Sequence, residues 1–351
     1  MPPTGVHFNG SVNLADTETV MREIVSRVPA GLRRIPDGET GDRGNWVFFQ
    51  LQKFLQSPSL VAAHPHDNPA EEYEMPQVRL AEGVDPADMT WPDPGYADAY
   101  LESHAIFAAL RDQGVIPDQI RFQVEYPTPL ASISAYVVAE QQEPLLGSYE
   151  RAMFADLDRF LALVPHDEVA VQWDVAVEFG ILEASFTGSG PQAFEAIIAG
   201  LARCIDQVPG DVPAGLHLCY GDYGHQHFKQ PESLALQVRV LSAVSAAASR
   251  PVSFASFTVP QYQHDAAYFA PLAELTAGAG TELNFALVPY HPADQAPGTT
   301  AEQIRLIDAA LAASPGNSRA WGICTECGMG RAGREEIPGL LDLHREIIAA
   351  G

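Results

Sequence analysis

His217 and Cys219 in "GLHLCYG", together with Cys327 in "CTECGMGR", carry the clearest chemistry in this chain. Residues i and i+2 of a strand point to the same side, so an imidazole and a thiolate there can converge on one metal while a third ligand arrives from a distant segment. Mixed nitrogen and sulfur donors favour zinc, and three protein ligands with an open fourth position are what a catalytic zinc requires. The plain alternative is a packed histidine beside an inert thiol, because free cysteine is among the most buried residue types.

Other polar residues stand at the ends of apolar runs, where burial is costly without a compensating role. They are Glu39 in "PDGETGD", Asp174 in "VQWDVAVE" and His291 in "VPYHP". Each has a structural reading too. Backbone donors could satisfy Asp174, and Glu39 could hold the turn "DGETGDRG". Cys324 forms a CxxC with Cys327, yet the segment reads as a strand running into a glycine turn and lacks the surroundings of a redox pair. Strand alternation places Cys324 on the side opposite Cys327, as a packing residue, and Cys204 falls on the apolar face of a helix. His225, His227 and Lys229 read as a solvated loop, and His64 and His66 carry no assignment.

Strands are needed to position these groups, and eight short apolar or β-branched runs supply them: 5–12, 32–39, 120–126, 169–176, 215–221, 252–259, 283–290 and 320–326. Helical spacing fills most of the intervals, as in "TETVMREIVSRV", "SYERAMFADLDRFLALV", "GPQAFEAIIAGLARCID", "PESLALQVRVLSAVSAAA" and "TAEQIRLIDAALAA". This alternation predicts one α/β domain over 1–351, a single (β/α)8 TIM barrel, with a doubly wound open sheet as the alternative. In a barrel, active-site residues gather at the carboxyl ends of the strands, where Glu39, Asp174, His217, Cys219, His291 and Cys327 would meet. A long proline-rich insertion, 47–119, follows the second strand and contains a helix from Tyr96 to Arg111. It is a lid candidate, or else a peripheral subdomain or oligomer contact.

Composition narrows the partners. The 351 residues include 45 acidic against 20 basic ones, a formal net charge of -25, which disfavours nucleic acid and anionic membranes. There is no signal pattern at the amino terminus and no apolar stretch of membrane-spanning length, so the expected location is the cytoplasm. Four cysteines in so long a chain are not a disulfide scaffold.

Taken in order, "NGS", "DGE", "QWD", "HLC", "YHP" and "ECG" resemble the catalytic barrel of cobalamin-independent methionine synthase and its relatives in the uroporphyrinogen decarboxylase-like superfamily, including the zinc-dependent coenzyme M alkyltransferases. The resemblance runs from Asn9 to Arg331, and the HxC with a late Cys-Gly is its most specific part. It implies that His217, Cys219 and Cys327 hold zinc, that Glu39 and Asp174 receive the ammonium of an amino-acid thiol such as homocysteine, that Ser11 receives its carboxylate, and that His291 moves a proton toward the alkyl donor.

Two departures from that pattern bear on function. Methionine synthase takes a glutamate zinc ligand from the strand after HxC, whereas no acidic residue stands between Glu232 and Asp265 here. The His, Cys and Cys set is closer to the coenzyme M branch, with Glu326, Asp222, His225 and His227 as candidate replacement ligands. The chain also has one barrel and lacks the amino-terminal half that helps methionine synthase bind folate. The expected function is therefore zinc-dependent transfer of a methyl or other alkyl group to a small thiol, from a small donor or a corrinoid protein. The alternatives are a zinc-dependent hydrolase or lyase using bound water, with Glu39 or Asp174 as base, and a non-catalytic zinc-binding protein.

Overall fold

The computed structural model describes residues 3–63, 76–185, 190–221, 226–313 and 319–350, side chains of 45–47 excepted. Its strands are β1 (Gly5–Val6), β2 (Arg34–Pro36), β3 (Leu60–Ala63), β4 (Gln77–Leu80), β5 (Arg121–Pro127), β6 (Val169–Val175), β7 (Ala214–Leu218), β8 (Phe254–Phe257), β9 (Glu282–Ala286) and β10 (Trp321–Cys324). Apart from the antiparallel pair β3 and β4, they form one curled parallel sheet in the order β1-β10-β9-β8-β7-β6-β5-β2. Its two ends approach each other: Val6 bridges Leu32 in parallel, and the Val6 amide donates to the Gly31 carbonyl at 2.9 Å. Strands consecutive in sequence are therefore neighbours in space, as in a TIM barrel, and each of the eight runs expected from the sequence contributes one.

Strand β6 shows how the sequence sorts its two faces. Val171, Trp173 and Val175 turn outward, where Trp173 packs on Tyr126 and on Phe154 of the helix Ala139–Leu161. Gln172 and Asp174 turn inward and bond to one another at 2.9 Å. Apolar burial against the surrounding helices thus stabilises a strand whose inner face is free to carry chemistry.

The amino-terminal end of the interior is closed by Arg34 and Glu282, paired at 2.6 Å, with the guanidinium 4.0 Å from the Phe254 ring centroid. Glycines make room for these groups: a Cβ on Gly215 would lie 2.3 Å from the Phe254 ring, and one on Gly322 would lie 2.2 Å from Asn284 Oδ1.

The connection from β2 to β5 holds the helix Trp46–Phe54, the β3–β4 pair and the helix Tyr96–Asp112. The last of these lies between the helices Thr17–Arg27 and Ala139–Leu161, and so belongs to the ring around the sheet. Strand β4 is tied to the next connection, through a bridge from Val78 to Val137 and a bond from the Leu80 amide to Gln141 Oε1 at 2.8 Å. His64 and His66 lie outside the described residues. No helix among the described residues is long and apolar enough to cross a membrane.

Candidate functional site

His217 lies within β7 and Cys219 just beyond it, while Cys327 sits three residues past the end of β10. One ligand atom from each lies within 4.8 Å of the other two, and all three side chains are buried. These donors, two thiols and an imidazole at such separations, suit a zinc ion. Among the described residues no fourth ligand joins the group. Thr258 directly follows β8, and its hydroxyl donates to the Leu218 carbonyl at 2.9 Å. Glu326 is occupied elsewhere, accepting from the Gln261 amide at 2.7 Å and pairing with His227 Nε2 at 2.8 Å. Asp222 and His225 lie outside the described residues.

Asp174 stands beside His217 on the adjoining strand, in register with it, and its Oδ1 meets His217 Nδ1 at 3.2 Å. Burial works against protonation of this imidazole, but the bond to Asp174 and the charges of Cys327 and Asp174 outweigh it and raise the pKa to about 9. With Nδ1 engaged by Asp174, Nε2, whose partner here is the Glu326 carbonyl at 3.4 Å, is the ring nitrogen that a metal would take in place of that long contact.

The wall opposite is formed by the turn after β2. Gly38 (φ +80°) has no room for a side chain, because a Cβ would come within 2.7 Å of Val20. Glu39 follows at φ +52°, a left-handed conformation costing a non-glycine residue about 1–2 kcal/mol. Its amide donates to Asp37 Oδ1 at 2.9 Å, and Asp37 is paired with the buried Arg43. Strain of this kind persists where surrounding structure enforces it, often at a working site. Burial, and then Asp174, push the Glu39 carboxyl up to about 8, against the opposing pull of Arg43 and of a hydrogen bond with Ser11.

Asn9, Ser11, Glu39, Asp174, His217, Cys219 and Cys327 line one small cavity with Ala176 and Gly328. His291 is not among its walls; it is exposed beyond β9, and its amide donates to Gln261 Oε1 at 3.3 Å. Six of the seven residues proposed from the sequence thus share a cavity, and the seventh lies outside it.

Two residues near the site differ from expectation. Cys324 faces the barrel interior, where its thiol meets the Asn9 side chain, and burial holds that thiol well above its usual range. The pleat ends at Cys324, so alternation counted from Cys327 across an irregular turn gives the wrong side. Glu125 on β5, 1% exposed, is a buried acid that the sequence reading passes over. Burial, and then Asp37 and Glu39, push its carboxyl well above the usual range, and Oε2 has no hydrogen-bond partner among the described residues. Its signal lies in "QVE", since Gln123 Nε2 donates to Glu125 Oε1 at 2.8 Å just as Gln172 Nε2 donates to Asp174.

No family model matches this chain, and no curated protein matches it. Among solved structures it is similar to a Listeria monocytogenes protein provisionally assigned as a vitamin-B12 independent methionine synthase, with a TM-score of 0.58 and 14% identity over 95% of this chain and 86% of that one. At such low identity the likeness establishes the fold.

Proposed function

We propose that this protein is a zinc-dependent enzyme that transfers a methyl or other alkyl group to a small thiol. The observation that carries the proposal is the buried convergence of His217, Cys219 and Cys327 beside two acidic side chains of one cavity, Glu39 and Asp174. Held by these three ligands, zinc would keep a substrate thiol in its thiolate form, deprotonated yet nucleophilic, at neutral pH.

The surrounding residues support such a substrate. Glu39 and Asp174 present carboxyl oxygens to the cavity and would receive the ammonium of an amino-acid thiol such as homocysteine. Ser11, which lines the same cavity and is bonded to Glu39, would receive the carboxylate of that amino acid. His291, from its exposed position, would protonate the leaving group as the donor docks over the cavity. Within the insertion 47–119, the part that precedes Tyr96 would serve as a lid, and the donor would be a small molecule or a corrinoid protein.

The test is the metal content of the purified protein and of Cys327→Ser. About one zinc per chain is expected in the wild type and a large loss in the variant. A cobalt-substituted sample should change its visible spectrum on addition of L-homocysteine. Absence of stoichiometric metal would overturn the proposal, whereas zinc whose ligand field ignores thiols would redirect it to chemistry on bound water.

A further inference from the structure

A hydrogen-bonded chain of four residues runs up the barrel interior to the metal group, and two of them, His7 and Gln172, are outside the chemistry proposed above. His7 Nε2 meets Gln172 Oε1 at 2.9 Å, Gln172 Nε2 donates to Asp174 Oδ1 at 2.9 Å, and Asp174 Oδ1 meets His217 Nδ1 at 3.2 Å. The second amide hydrogen of Gln172 goes to the Asn9 carbonyl at 3.0 Å. His7 and Gln172 are fully or almost fully buried, and Asp174 is 9% exposed.

These contacts leave little freedom in the proton positions. Gln172 Nε2 faces two acceptors, a carbonyl and a carboxylate, so a flipped amide would set oxygen against oxygen at both. With the amide so fixed, Oε1 points to His7, which must carry its ring proton on Nε2. His7 is neutral, because burial, and then Arg34, lower its pKa to about 3. Asp174 Oδ1 therefore accepts from Gln172 on one side and from His217 Nδ1–H on the other. Its other oxygen remains for the cavity that Asp174 lines.

We infer that Gln172 and His7 are positioning residues for the metal centre, fixing Asp174 so that it holds His217 in the tautomer and ring orientation that offer Nε2 to zinc. The inference rests on the zinc reading of the site. Asp174 then has two duties, one oxygen orienting the ligand and the other facing substrate. Outer partners of this kind are worth about 10–100-fold in metal affinity in well-studied zinc sites. A neighbouring strand supplies an internal control. Gln123 on β5 makes the same pair of bonds, to Glu125 Oε1 at 2.8 Å and to the Phe8 carbonyl at 2.7 Å, but the acid it holds does not hydrogen-bond to His217, whose ring is engaged by Asp174 and the Glu326 carbonyl.

The experiment measures the zinc dissociation constant by chelator competition in the wild type, Gln172→Leu and Gln123→Leu, alongside the pair His7→Leu and His7→Gln. Gln172→Leu should bind zinc about 10–100-fold more weakly, and Gln123→Leu should stay at the wild-type value. His7→Leu should weaken binding, and His7→Gln, which can still donate to Gln172, should restore it. That pair decides the matter if Gln172→Leu does not fold. Unchanged affinity in Gln172→Leu, equal losses in both glutamine variants, or failure of His7→Gln to recover what His7→Leu loses would overturn the inference and leave the zinc reading standing. A wild type that binds no zinc would overturn both.

Discussion

Glu39 combines a left-handed backbone with a buried carboxyl beside Asp174, and its protonation should be visible in folding. Its folded pKa, about 8, lies above the usual carboxylate value, so the folded state holds this proton more tightly than the unfolded chain does. The contribution is full below the unfolded pKa and is lost as pH rises through the folded one. Metal-free wild type should accordingly lose stability between about pH 5 and pH 9, and Glu39→Gln, neutral throughout, should lose less over the same window. Urea unfolding of both proteins at several pH values checks this; parallel curves would mean that Glu39 ionises without cost. The cavity residues were legible because each belongs to a short pattern of chemically demanding types. Glu125 was not, since a carboxylate in the middle of "RFQVEYP" reads as one polar face of a strand until Gln123, Asp37 and Glu39 are seen around it.

At the scale of elements, β7 and β8 show how the floor of the barrel determines its mouth. Gly215 is registered with Phe254, two residues below His217, and a methyl group there would press on the ring that Arg34 covers. Gly215→Ala should cost about 1–3 kcal/mol, as overpacked cores do, and should shift β7 enough to weaken metal binding. Thermal unfolding with and without zinc separates the two effects, and an alanine variant of unchanged midpoint would show that the ring moves aside freely. The eight sheet strands were legible because short apolar or β-branched runs mark them, but their limits were not. The run expected at 5–12 pairs in the sheet only over Gly5–Val6, after which the side chains take separate interior partners, His7 bonding to Gln172, Asn9 to the Thr325 carbonyl and Ser11 to Glu39. The helix expected from "SYERAMFADLDRFLALV" begins earlier, at Ala139, and passes through Pro144 and Gly147. Pro144 lies close enough to the amino end that only the first turn loses a bond, and buried contacts from Leu145 onward compensate.

For the whole molecule, the metal group joins segments far apart in the chain: His217 comes from β7 and Cys219 from just beyond it, and Cys327 follows β10, with β8 and β9 between them in the sheet. A ligand bound at that point exists only in the folded state, so its binding free energy adds to the stability of the entire barrel. Zinc at about a thousand times its dissociation constant should contribute about 4 kcal/mol. A chelator should lower the unfolding midpoint by the corresponding few degrees, and added zinc should restore it. Cys327→Ser should show the low midpoint with or without zinc, whereas Cys204→Ser, altering a buried thiol on the helix Phe194–Gln207, should shift both midpoints equally and keep the metal response. If wild type and Cys327→Ser responded to zinc alike, the stabilising ion would be bound elsewhere, because among the described residues Cys327 is one of the three that form the group with His217 and Cys219.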